Sequence, residues 1–175
     1  GKGSVYETVA LPSHQTMNLA AAVAALELLI EVDPEIVQSR LLELQPVFAR
    51  NETVVVADRQ IDLRLVQNPT SFQKNLDELV GDELPLMLMA GRDIHDPSWL
   101  WTVDFSKLNR VEIVGGFNAS DLALRLRFQG VEVGQVITEA TEAGDVFLRL
   151  SGARPTVLFS ADAMRRVRRH WWLAK

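Results

Sequence analysis

A short apolar run from Leu84 to Ala90 constrains the fold more than any other stretch. Its sequence, Leu-Pro-Leu-Met-Leu-Met-Ala, shows no polar alternation and is bounded by turn residues, which predicts a strand buried on both faces. Further strands are predicted near 110–115 and 155–159, and helices alternate with strands from residue 60 onward. This alternation predicts an α/β fold, a Rossmann-like, mostly parallel sheet with helices on both faces.

Acidic and aromatic side chains follow the apolar run directly. Asp93 and Asp96 lie just after the turn at Gly91, and Trp99 and Trp101 come next. Open α/β sheets place their binding sites beyond the carboxyl ends of their strands, so this loop is the candidate site. The alternative is a charged turn in which Trp99 serves only as a core anchor.

The remaining segments complete the predicted architecture. The first 48 residues predict a strand, a helix and a second helix, and a composition shift near Ala49 divides the chain into 1–48 and 49–175. Asp33 is the predicted N-cap of the second helix, with Pro34 at its first position. The predicted strands are 5–11, 53–57, 60–66, 131–137 and 146–150, the predicted helices are 17–30, 34–44, 72–80, 121–129 and 161–172, and residues 138–145 are ambiguous.

Composition excludes several classes of protein. The 175 residues carry a net charge of −5, which argues against a nucleic-acid surface. There is no cysteine, so no disulfide or thiolate zinc site is expected, and the three histidines are too scattered to predict a metal site. No apolar run approaches the roughly 20 residues of a membrane helix. The last helix carries four arginines between 165 and 169, which predict a solvated face or, alternatively, a contact with anionic lipid or a pyrophosphate.

Three stretches resemble the Mur ligase superfamily. Leu11-Pro-Ser-His-Gln-Thr-Met-Asn18 is similar to a helix start whose Asn approaches the ATP adenine, and Phe48-Ala-Arg50-Asn-Glu52 is similar to the Arg-x-Glu signature that closes the ATP domain. The turn at Asn68-Pro69 resembles the one that opens the C-terminal domain. The resemblance implies nucleotide-binding roles for Asn18, Arg50 and Asn68, and it makes residues 1–48 the end of a central ATP-binding domain. ATP and Mg²⁺ are expected in the complete protein, whereas this chain, which has no phosphate loop, should neither bind ATP tightly nor hydrolyse it.

Within that superfamily, the stretch 90–105 resembles the MurT family. That family carries a pattern like Asp-Gly-x-Asp-x-Ser-Trp-Ile-Trp-Asp-Val-Asp-Phe in its C-terminal domain. The matching residues are Asp93, Asp96, Ser98, Trp99, Trp101, Val103, Asp104 and Phe105, while Ile94, Pro97 and Thr102 depart from it. The helix around Asp121-Leu-Ala-Leu-Arg125-Leu is similar to that family's Asp-x-Ala-x-Arg-Leu helix.

The resemblance to MurT implies a function. MurT proteins pair with a glutaminase, GatD, and amidate D-glutamate in the lipid II stem peptide with ATP and glutamine. An Asp of the MurT loop completes the Cys-His pair of the partner. By position, Asp96 is the expected catalytic residue, with Asp93 as the alternate, and Trp99 and Trp101 are the expected partner contacts. The expected location is the cytoplasm, with at most a peripheral membrane contact through the substrate.

Two other functions fit the same sequence. One is the C-terminal domain of an ordinary Mur or folylpolyglutamate-type ligase, which needs no glutaminase. The other is a non-enzymatic α/β interaction module, favoured by Gln15, Ala49 and Gln67 at positions where the superfamily carries other residues. Co-purification with a glutaminase separates the MurT-like function from the ordinary ligase, and ATP turnover by the complete protein separates it from the interaction module.

Overall fold

The computed structural model describes residues 5–9, 13–43, 50–79 and 85–173, without the side chains of 13–15 and 50–51. The chain divides into two compact units, Gly1–Gln45 and Pro46–Lys175. The predicted boundary between residues 48 and 49 lies outside the described residues.

The first unit consists of two helices, α1 (Ser13–Leu29) and α2 (Pro34–Leu42), and a segment at 5–9. Asp33 caps α2 by accepting a hydrogen bond from Glu35 N–H at 2.9 Å, as predicted. The predicted strand at 5–11 is wrong over residues 5–9, and residues 10–12 lie outside the described part. Instead of pairing with a strand, the backbone of Glu7 exchanges two hydrogen bonds of 2.9 Å with the Gln38 side chain.

The second unit is built on a sheet of six strands in the order β1-β2-β6-β3-β4-β5 among the described residues. The strands are β1 (Arg50–Val56), β2 (Arg59–Leu65), β3 (Leu86–Met89), β4 (Arg110–Gly115), β5 (Glu132–Ile137) and β6 (Thr156–Phe159). The helices are α3 (Pro69–Asp77), a 3₁₀ helix (Pro97–Thr102), α4 (Ala119–Phe128), α5 (Ala140–Leu148) and α6 (Ala161–His170). Every neighbouring pair is parallel except the hairpin β1–β2, whose turn residues Ala57 and Asp58 have positive φ. The mostly parallel sheet is confirmed.

Helices cover both faces of this sheet, as predicted. In β3, Leu86 and Leu88 pack into a core with α3, α4 and the 3₁₀ helix. Met87 and Met89 point the other way, into a core with α5 and α6. All four side chains are at most 3% exposed. The run without polar residues is therefore a consequence of burial on both faces.

The predicted strand at 146–150 is wrong, because most of that segment belongs to α5. Ala140, Ala143 and Phe147 recur at helical spacing and are buried together against the sheet. Gly144 lies on the same face, where an added Cβ would come 3.2 Å from Trp171 Nε1. The apolar run Val-Phe-Leu looks strand-like only when it is separated from the acidic half of its helix.

The arginines of α6 are not simply a solvated face. Arg168 is 9% exposed, and its guanidinium pairs with the Glu52 carboxylate of β1 at 2.6 Å. Arg166 pairs with Asp162 one turn earlier at 3.2 Å, which leaves Arg165 and Arg169 as the exposed members. None of the described helices is both long and apolar enough to cross a membrane.

Candidate functional site

The loop that follows β3 lies where the carboxyl ends of β6, β3 and β4 meet. From β3 the chain crosses to β4 on one side, whereas β6 pairs with β3 on the other side. Such a change of direction opens a crevice beyond the strand ends, which is the usual binding position in open α/β sheets. The sequence-predicted residues Asp93, Asp96, Trp99 and Trp101 all lie in or just after this loop.

The first half of the loop is tied to the end of β6. Ser160 Oγ accepts a hydrogen bond from Gly91 N–H at 2.8 Å and donates to Asp93 Oδ1 at 2.6 Å. The other oxygen, Asp93 Oδ2, accepts from Ala161 N–H at 2.9 Å, at the first residue of α6. Both carboxylate oxygens of Asp93 are thus used inside the chain, and a negative charge there is favourable at a helix N-terminus.

A second attachment comes from the turn between β4 and α4. Asn118 is 7% exposed, and its Nδ2 donates to Gly91 O and Ile94 O, each at 2.9 Å. Although Asn118 is at the N-cap position of α4, its side chain makes no capping hydrogen bond. Gly116 allows this close approach, because its φ is +93° and an added Cβ would lie 2.6 Å from Ala90 O.

The carboxylate of Asp96, unlike that of Asp93, makes no hydrogen bond to the end of β6 or the start of α6. Asp96 is exposed and begins the 3₁₀ helix, where its Oδ1 accepts from Ser98 N–H at 2.9 Å. Hydrogen bonds from Ser98, through its side chain and then its backbone, hold the pKa of Asp96 below its ordinary value. The described residues offer it no ion-pair partner. Asp96 is therefore an ionised, accessible carboxylate at neutral pH.

The two tryptophans point in opposite directions. Trp99 is half-buried, with its ring 6.3 Å from that of Phe72 in an edge contact. Trp101 is 42% exposed and lies over the outer side of α4, 5.3 Å from the Phe128 ring and 5.2 Å from the Arg125 guanidinium. Trp99 therefore fits the core-anchor alternative, and of the two only Trp101 presents an exposed face to a partner.

The proposed nucleotide residues lie away from this loop in the chain. Asn68 caps α3 by accepting from Ser71 N–H at 2.8 Å, within a capping box that the two residues form. Asn18 is exposed on α1 in the first unit. Arg50 begins β1, and its side chain is outside the described part. Their nucleotide roles stay predictions that rest on the resemblance.

The loop also carries a cation, Arg92, whose backbone is bonded to α6. Asp162 Oδ2 accepts from Arg92 N–H at 3.1 Å, and the exposed Arg92 guanidinium lies 5.0 Å above the Phe117 ring. Burial alone would raise the pKa of Asp162, but hydrogen bonds from Arg92 and Arg166 and the nearby arginine charges outweigh it and lower the pKa. The described residues contain no group of three or more His, Asp or Glu side chains able to hold a metal.

Sequence reasoning missed two residues of this site. Ser160 directly follows the apolar strand β6, and Asn118 comes three residues after the end of β4. This position could have identified both, since the residues after parallel strands share one edge of the sheet.

Comparison with known proteins places the chain among ligase-related sequences. A family described as MurT ligase C-terminal matches residues 65–155, more than half of the chain. The MurT subunit of the glutamine-hydrolysing lipid II isoglutaminyl synthase of Streptococcus pneumoniae is 26% identical over 136 residues, covering 73% of this chain and 30% of that protein. The chain therefore spans under a third of the length of this relative.

Solved structures share the fold. The ligase from Acinetobacter baumannii that joins UDP-N-acetylmuramoylalanyl-D-glutamyl-2,6-diaminopimelate and D-alanyl-D-alanine has a TM-score of 0.61 at 20% identity, covering 91% of this chain and 36% of that one. A bifunctional folylpolyglutamate synthase/dihydrofolate synthase from Yersinia pestis, complexed with AMPPNP and Mn ion, has a TM-score of 0.65 at 14% identity, covering 96% and 41%. At such identities the likeness establishes the fold alone, and it confirms the predicted Mur ligase architecture.

Proposed function

Because the chain belongs to the MurT ligase C-terminal family, we propose that it is part of the MurT-like subunit of a glutamine-dependent lipid II isoglutaminyl synthase. The complete enzyme amidates the α-carboxylate of D-glutamate in the lipid II stem peptide and so forms D-isoglutamine. Residues 49–175, with the MurT-type loop, are the C-terminal domain, and residues 1–48 are the end of the ATP-binding domain. The relative from Streptococcus pneumoniae supports this assignment through its name as a subunit of such a synthase.

The reaction requires two separate activities. ATP activates the D-glutamate carboxylate by phosphorylating it, and ammonia then displaces phosphate to form the amide. The ammonia comes from glutamine, which a GatD-like glutaminase hydrolyses with a Cys-His pair. ATP and Mg²⁺ belong to the complete protein, with Asn18, Arg50 and Asn68 assigned to the nucleotide. Because the substrate is linked to a lipid, we expect the complex to act in the cytoplasm, at the inner face of the membrane.

The exposed, ionised carboxylate of Asp96 carries the proposal. A Cys-His pair works best when a carboxylate orients the imidazole and stabilises its charged form. Asp96 lies at the tip of a loop on the carboxyl edge of a rigid sheet, its charge is not neutralised by a cation among the described residues, and its lowered pKa keeps it ionised. Asp93, the alternate, has both oxygens engaged within the chain. Asp96 is therefore assigned as the residue that completes the partner's Cys-His pair.

Trp101 supports a partner contact beside Asp96. It belongs to the 3₁₀ helix that Asp96 begins, and its exposed ring continues onto Phe128, which is 73% exposed. Exposed tryptophans are enriched among residues that dominate binding energy at protein interfaces. A glutaminase that brings its His to Asp96 would therefore cover Trp101 as well.

Reconstitution tests the proposal. The complete protein is mixed with the glutaminase with which it co-purifies, and lipid II, ATP and glutamine are added. We expect isoglutamine-containing lipid II by mass spectrometry, with ammonium chloride replacing glutamine when the glutaminase is omitted. If amide forms only when a free amino acid is supplied, the ordinary ligase function is correct instead. If ATP is not consumed with any acceptor, the interaction-module alternative is correct.

A further inference from the structure

Ser160, the residue after β6, holds the part of the loop that precedes Asp96. Asp93 and Ser160 are 67 positions apart in the chain, yet the Ser160 hydroxyl donates to Asp93 Oδ1 at 2.6 Å. Ser160 is 1% exposed and also accepts from Gly91 N–H at 2.8 Å. Its single hydroxyl group therefore contacts the loop at two points, on either side of Arg92.

The Asp93 carboxylate completes this connection. Its second oxygen accepts from Ala161 N–H at 2.9 Å, so the two oxygens have two different donors on the β6–α6 junction. An asparagine at position 93 would have one acceptor oxygen for these two donors, and it would bring no charge to the N-terminus of α6. An aspartate therefore satisfies both donors, and an asparagine would not.

Asp96 is three residues beyond this anchor and caps the 3₁₀ helix, whose Leu100 is fully buried. Its own carboxylate bonds only locally, to Ser98. The Asn118 amide fixes the backbone at Gly91 O and Ile94 O, which lie on the anchored side of Asp96. The contacts of Asp93, Ser160 and Asn118 therefore fix the backbone on the side that leads into Asp96.

We propose that Asp93 and Ser160 form a positioning pair that holds the β3 loop so that the Asp96 carboxylate meets the catalytic His of the partner. This inference rests on the function proposed above. The pair does not touch substrate, and it acts only through Asp96. Since the geometry of the orienting carboxylate matters only for glutamine hydrolysis, loss of the pair should leave the ATP-dependent step intact.

The test uses the complete protein in complex with its glutaminase partner. Ser160→Ala removes the shared hydroxyl without adding volume, and Ser151→Ala, at an exposed serine before β6, is the matched control. We expect the kcat of glutamine-dependent amidation to fall about 10- to 100-fold, the range expected for displacements near 1 Å. The KM for glutamine, the affinity of the complex and amidation from ammonium chloride should stay at wild-type values. Asp93→Asn should show the same split.

A double variant distinguishes positioning from a general structural role. If Ser160 acts through Asp96, then Ser160→Ala added to Asp96→Asn lowers the rate no further than Asp96→Asn alone. A multiplicative loss in the double variant would overturn the proposal, as would an equal loss with glutamine and with ammonium chloride, or a wild-type rate for Ser160→Ala. Failure of the wild-type complex to use glutamine at all would instead overturn the proposed function itself, and the positioning role with it.

Discussion

The two halves of the β3 loop show how one short segment divides structural and exposed roles. From Gly91 to His95, backbone and carboxylate groups are bound by Ser160, Ala161 and Asn118. Asp96 caps the 3₁₀ helix Pro97–Thr102, and both Asp96 and Trp101 in this half are exposed. The difference teaches that an acid in a loop is available for chemistry only when another residue already satisfies the polar groups of the turn.

Replacing the outer acid should have the largest effect. Asp96→Asn in the complete complex should lower the glutamine-dependent rate by about 10⁴-fold, the loss seen when the orienting carboxylate of a serine triad is removed. Complex formation and amidation from ammonium chloride should persist. Rates are measured with each nitrogen source, and affinity by titration calorimetry.

Asp104→Asn is the control for that change. Asp104 is also exposed, and its Oδ1 accepts from Ser106 N–H at 2.9 Å, the same local geometry as at Asp96. It should retain most of the wild-type rate. An equal loss in both variants would remove the distinction between Asp96 and any other exposed acid, and a loss in Asp93→Asn without one in Asp96→Asn would reverse the roles of the two halves.

Adding a side chain at Gly116, where the turn after β4 meets Ala90 at the end of β3, should have the next largest effect, this time on stability. Gly116→Ala should lower the free energy of unfolding by about 2–4 kcal/mol, because a Cβ would both occupy a left-handed backbone and meet Ala90 O at 2.6 Å. Gly130 has a φ of +81° with nothing within 4 Å of its added Cβ, so Gly130→Ala should cost only about 1 kcal/mol. Urea unfolding of residues 1–175 measures both, and equal losses would show that strain alone matters.

The two tryptophans should separate stability from binding. Trp99→Ala should cost about 2–3 kcal/mol of unfolding free energy, since it removes a half-buried ring packed on Phe72. Trp101→Ala should cost about 1 kcal/mol, the sum of an exposed aromatic pair and a cation–π contact. In the complex, Trp101→Ala should weaken affinity about 30-fold, the effect of one interface hot spot. Equal affinities for the two variants would place the partner elsewhere.

The smallest expected effect is a change in the pKa of Asp96. Folding lowers this pKa, so the carboxylate contributes stability that is present above its unfolded pKa and is lost as pH falls through the folded value. Ser98→Ala removes the side-chain hydrogen bond but keeps the N–H, and should raise the pKa of Asp96 toward its ordinary value. Carboxyl chemical shifts followed by NMR against pH measure this, with Asp104 as an internal reference that should not move.

Much of the architecture was predictable because it depends on local signals. The unbroken apolar run of β3 indicated a strand buried on both faces, and Asp33 with its following proline marked the start of α2 correctly. The segment at 146–150 was predicted wrongly because a short apolar run has no periodicity of its own. Only together with Ala140 and Ala143 does it show the spacing of a helix buried against the sheet.

By itself, the sequence determined the sheet, its burial on both faces and the loop where acids and tryptophans collect, because strand and helix periodicity and capping act over a few residues. It ranked Asp96 above Asp93 only through the family resemblance, and the residues around the two acids do not show which of them is free. Asp93 and Asp96 have similar neighbours in the chain, and the distinction depends on Ser160 and Ala161, which the parallel pairing of β3 with β6 brings to the same sheet edge. Likewise, Arg168 and Glu52 are 116 positions apart in the chain, and they pair only because α6 packs against the sheet. Contacts between residues so distant in the chain arise from the packing of the whole sheet, and no local pattern encodes them.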